Sequence, residues 1–121
     1  MAERLTFRWG VADCATAAAA HVLALTGRDV FAPYAGAYDS PVAAGRLIAA
    51  HGGLIDMVDA ALDGIWPRGG REIAALGKGP RACLLAVRDG PWWRMPCADG
   101  SVLRTRITAT PALASWGPAN G

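Results

Sequence analysis

The sequence predicts an α+β fold in which helices from the first half pack on a small antiparallel sheet from the second. Up to Gly64 the chain is punctuated as helices, with capping residues and glycine stops. Beyond Gly79, short apolar or alternating runs of strand length take over, separated by Asp-Gly turns. Helices and strands in separate blocks, rather than in alternation, mark an α+β layout.

The first helix is the best bounded. Asp13 caps a run from Cys14 to about Thr26, and Gly27 supplies the stop. Its alanines (Ala15, Ala17, Ala18, Ala19, Ala20) favour the helix and keep the cylinder thin, so that other elements can approach closely. After a Pro- and Gly-containing loop, "VFAPYAGAYDS", Ser40 and Pro41 open a second helix that ends at His51 before Gly52-Gly53. "LIDMVDAALDG" follows, with Leu54, Val58, Ala61 and Leu62 on one stripe and Gly64 as its stop. A loop through "WPRGGRE" leads to the strands. Ala82 to Val87 is a continuous apolar run, and Ser101 to Ile107 alternates. Asp99-Gly100 folds Trp92–Met95 back on Val102–Arg106, with Pro91 and Pro96 keeping that hairpin at a sheet edge. Thr110 and Pro111 are read as the cap of a last helical turn that reaches Trp116.

At 121 residues the chain is expected to be one domain, 1–121. Hydrophobic residues make up 53% and charged ones 18%, so part of the surface is expected to meet a partner. Net charge is only +2 with the basic residues scattered, which argues against nucleic acid as the ligand. The apolar run Ala15–Leu25 is too short to span a bilayer and is interrupted by His21, so we expect a soluble, uncleaved chain without stable membrane insertion. Cys14, Cys83 and Cys97 form no C-x-x-C pair, so neither a zinc site nor a disulfide framework is expected, and no metal or cofactor is implied.

The chemistry reduces to Cys14. A thiol in the first turn of a helix meets the positive end of the helix dipole, which favours the thiolate. It still needs a base. His21 lies seven residues on, about 10 Å along the axis at 1.5 Å per residue, too far for a dyad. His51 is the other candidate base, although its place at a helix C-terminus lets the imidazole meet the last carbonyls instead. The bland alternative for Cys14 is a small buried residue.

"FRWGVADC" with the helix behind it, then "LTGRD", "AAGRLIAAHGGL", "VDAALDG" and a closing "ALASW", resembles small proteins encoded in tail modules of bacteriophages, prophages and gene transfer agents. Those are in turn similar to the NlpC-type, papain-like cysteine hydrolases of bacterial cell walls. The likeness runs from Phe7 to Trp116 and is strongest over the first 64 residues. It implies a papain-like core in which the nucleophile helix packs on a small antiparallel sheet, and it maps the nucleophile position onto Cys14. In active members a histidine follows on a sheet strand, whereas residues 52–121 here contain none and the corresponding region reads "DGPWWRMPC". The usual Gly-Asp opening the first core strand is replaced by Gly79-Pro80.

Two functions remain in view. One is a structural or adaptor subunit of a virion tail tip, made in the bacterial cytoplasm, that docks on other tail-tip proteins through exposed Trp66, Trp92, Trp93 and Arg94, with Trp9 shaping the turn beside Cys14. The other is an active peptidoglycan peptidase or amidase that uses Cys14 during tail penetration.

Overall fold

The computed structural model describes residues 13–80, 82–97 and 99–119. Three helices, α1 (Cys14–Thr26), α2 (Pro41–Ala50) and α3 (Leu54–Ala61), precede five strands: β1 (Arg68–Gly79), β2 (Ala82–Asp89), β3 (Trp92–Pro96), β4 (Val102–Arg106) and β5 (Ala114–Trp116). The strands form one sheet, ordered β4-β3-β2-β1-β5, with every pairing antiparallel. The chain is therefore α+β, as predicted. No helix among the described residues is long and apolar enough to cross a membrane.

Local chemistry accounts for the helix ends. Asp13 is extended and its carboxylate accepts from the Thr16 N–H at 2.9 Å, while the Thr16 hydroxyl oxygen accepts from the Asp13 N–H at 2.8 Å. This reciprocal box satisfies two backbone donors of the first turn. Gly27 closes α1 at φ 75°, a left-handed conformation that side chains resist. Ser40 caps α2 by accepting from the Ala43 N–H at 3.1 Å, with Pro41 at the first helical position.

One side of the sheet carries the main core. Ile73, Ala75 and Leu85 meet Ala18 and Val22 of α1, Leu54 of α3, Leu62, Trp66, Ala114 and Trp116. The opposite side holds Ala74, Leu76, Ala86, Trp93 and Met95, with Ile107 packed on them. Because β4 and β5 lie on opposite edges, residues 107–113 must traverse four strand spacings, roughly 19 Å at about 4.8 Å each. The strap opens with a 3-10 turn, Ile107–Ala109, and its seven residues would reach about 23 Å only if fully extended, so it has little slack. It is pinned at both ends: the Ile107 N–H donates to the Pro91 carbonyl at 3.0 Å and the Leu113 N–H to that of Ala75 at 3.0 Å.

Four sequence expectations are corrected. The segment read as a loop through "WPRGGRE" enters β1 at Arg68, and Ile73–Leu76 is buried on both faces. Such a strand shows a continuous apolar run rather than alternation. The last helical turn expected after Thr110-Pro111 is instead β5, which pairs with β1 through Ala75↔Ala114 and Ile73↔Trp116. Trp93 and Trp66, expected to be exposed, are buried at 2% and 7%, one in each core cluster. Trp93 neighbours Met95 on the covered face because strand residues two apart point the same way. Trp9 lies outside the described residues.

Candidate functional site

The helix-side face of the sheet positions Cys14. As the first residue of α1, it is packed partly buried against the main core cluster beside β2. The nearby backbone N–H groups of Leu85, Cys14 and Ala15 favour the thiolate. Burial opposes them and dominates; the negative charge of Asp13 adds to it, so the thiol is pushed above its ordinary value. The environment thus holds Cys14 as a neutral thiol, contrary to what the helix dipole alone implies.

Neither histidine hydrogen-bonds the Cys14 sulfur. The imidazole of His21, two turns up α1, sits 3.0 Å by its Nε2 from Glu72 Oε1. His51, the C-cap of α2, donates from Nδ1 to the Leu47 carbonyl at 2.9 Å, and its ring meets Tyr34 edge-on with centroids 5.4 Å apart. Each imidazole has one nitrogen engaged away from the thiol, and the expectation that His51 caps its helix is met.

Asp13 does more than cap. It is 2% exposed, and its second oxygen accepts from the Tyr38 hydroxyl at 2.6 Å, which ties the loop between α1 and α2 to the start of α1. Burial and the adjacent carboxylate push the Tyr38 phenol well above its ordinary value, so it is a fixed donor. Tyr38→Phe removes that donor from a buried carboxylate and is expected to cost about 2 kcal/mol. Chemical denaturation at pH 7 checks this; a change below about 0.5 kcal/mol would show that Asp13 does not depend on Tyr38.

Behind this pair lies a cavity of about 270 Å³, walled by α1, the loop after it, α2, α3 and β2. Its lining is almost wholly carbon, and Cys14 and Cys83 both contribute to it. Cys83 lies two residues before Leu85 on the same face of β2, which the alternation of the strand makes legible. Burial raises its thiol as well, and all three cysteines are free. Tyr38 and the cavity were missed by the sequence reading: Tyr38 sits in an aperiodic loop, and a void has no pattern of its own.

The remaining candidates gather on the outer hairpin. Register pairs Trp92 with Arg106 and Arg94 with Arg104, so all four side chains emerge on one face. The Arg106 guanidinium stands 4.7 Å over the half-buried Trp92 ring, and Arg104 reaches Asp89 at 3.5 Å. Arg94 is also paired with Val87, two residues along β2 from Leu85, so this group lies on the same face of the sheet as the helices.

A family model described as a domain of unknown function (DUF6950) matches residues 1–77, a span that takes in all three helices and most of β1. No curated protein and no solved structure matches the chain. With more than half of its 121 residues covered, the chain belongs to the DUF6950 family.

Proposed function

We propose that this protein is a non-hydrolytic tail-tip subunit, built on the papain-like layout of cell-wall cysteine hydrolases and working by contact with other tail-tip proteins. A cysteine in the first turn of a helix packed on an antiparallel sheet supports the layout. The single observation that carries the loss of hydrolysis is that neither imidazole hydrogen-bonds Cys14, which is itself held as a neutral thiol. Trp92, Arg94, Arg104 and Arg106 on the outer hairpin supply the aromatic and guanidinium groups that anchor protein interfaces. Trp66 and Trp93 drop out of that surface because they are core residues.

Iodoacetamide at pH 8 is expected to alkylate Cys14 at least about tenfold more slowly than a free cysteine, since only the thiolate reacts. In particles carrying Cys14→Ser, assembly and DNA delivery should match the parent. Trp92→Ala should lower incorporation roughly tenfold while the domain stays folded. Rapid alkylation of Cys14, together with lost delivery by normally assembled Cys14→Ser particles, would establish the peptidoglycan hydrolase instead.

A further inference from the structure

The cavity is the feature that neither the core nor the thiol explains. We propose that it is a binding site for an uncharged hydrocarbon group of about ten carbon atoms, and this holds whether or not the chain acts in a tail.

The first argument is what surrounds the void. α2 buries only Ala44 fully and α3 only Leu54, although both helices turn apolar side chains inward. Leu47, Ile48, Met57, Val58, Val30 and Phe31 all line the cavity and are only half-buried. Together they give the cavity an apolar accessible wall, which a hydrocarbon guest would cover. α1 contributes alanines to the same wall, and Gly45 of α2 adds no side chain at all. The space is thus built from small residues ringed by larger apolar ones.

Size and polarity then select the guest. An apolar cavity of roughly 150 Å³ takes a benzene ring, so 270 Å³ corresponds to about ten carbons. Polar atoms on the wall are few, and the principal ones are already engaged: the Asp13 carboxylate accepts from the Thr16 N–H and from Tyr38. That carboxylate repels an anionic head group, which excludes an ionised fatty acid as the preferred ligand. The hydrocarbon can belong to a fused aromatic ring or to an unbranched acyl or alkyl chain, and the probes separate the two.

Titration of the whole chain with naphthalene and with 1-decanol, followed by methyl NMR, should show saturable one-to-one binding of at least one of them. Shifts should concentrate on Ala18, Val22, Ile48 and Val58 and leave Leu103 of β4 unmoved. Decanoate at pH 8 should bind at least tenfold more weakly than decanol. Stronger naphthalene binding assigns an aromatic guest, and stronger decanol binding a chain. Gly45→Leu and Ala61→Leu occupy the cavity, and a Cβ at Gly45 meets nothing within 4 Å, so the first is expected to fold. Each should weaken binding at least tenfold, whereas Ala50→Leu, exposed on the side of α2 away from the cavity, should not. Absence of saturable binding by either probe would overturn the proposal, as would folded Gly45→Leu and Ala61→Leu chains that bind like the parent.

Discussion

Gly70→Ala should leave the chain largely unfolded. Gly70 is buried near the start of β1, where it crosses Gly117 just past β5. A Cβ at residue 70 would overlap the Cα, N and C atoms of Gly117, all of them backbone. No rotamer change relieves that contact, so the strands themselves would have to separate. Ordinary overpacking of side chains costs about 1–3 kcal/mol, and this clash should exceed it, against a total stability on the order of 5–15 kcal/mol. Gly45→Ala is the control. There the backbone is helical and the added methyl meets nothing within 4 Å, so stability should rise by about 0.5–1 kcal/mol. Circular dichroism with urea unfolding of both variants measures the difference. A Gly70→Ala chain within about 1 kcal/mol of the parent would show that β1 and β5 do not cross at these glycines.

That crossing also explains what the sequence hid. Glycines in "WPRGGRE" read as a loop because glycine is usually punctuation, yet Gly70 stands inside a strand to admit a second backbone. The following "EIAALG" lacks alternation because both faces of β1 are covered, on one side by the helices and on the other by the strap. β5, at three residues, is too short for any period to declare itself, and the Thr-Pro pair before it mimics a helix cap. Where local chemistry alone decides, the reading succeeded. Asp13, Gly27 and Ser40-Pro41 bounded α1 and began α2, and Asp99-Gly100 joined β3 to β4. The position of Cys14 was legible for the same reason. Its state was not, because the burial that raises the thiol comes from strands far along the chain.

Trp116→Ala is expected to be the most damaging change confined to one side chain. At 1% exposed, Trp116 fills the main core, pairs with Ile73 in register, and its indole N–H donates to Asp59 at 2.8 Å. Asp59 in turn accepts from Arg68 through Nε at 2.9 Å and Nη2 at 2.5 Å, so one indole links β5, the start of β1 and α3. Truncating a buried tryptophan costs about 3–5 kcal/mol. Trp116→Phe keeps most of the apolar contact and loses the N–H donor, which should cost about 1 kcal/mol beyond the change in volume. Acid separates the two contributions. The hydrogen bond from Arg68, helped by that from Trp116, holds the Asp59 carboxyl below its ordinary value of 3.8. A carboxyl lowered in the folded state contributes stability above about 3.8, and loses it as pH falls through the folded value. The Asp59 and Arg68 side chains are 37% and 53% exposed, so solvent limits this contribution to less than about 1 kcal/mol. Urea midpoints at pH 7 and pH 2.5 should therefore show the Trp116→Ala deficit at both values, since it arises mainly from apolar burial. The Trp116→Phe deficit should shrink as pH falls through the lowered Asp59 value, since the protonated carboxyl accepts more weakly. If instead the Trp116→Ala deficit vanished at pH 2.5, charge rather than packing would be holding β5 to the sheet, and the core on the helix side would have to be redrawn.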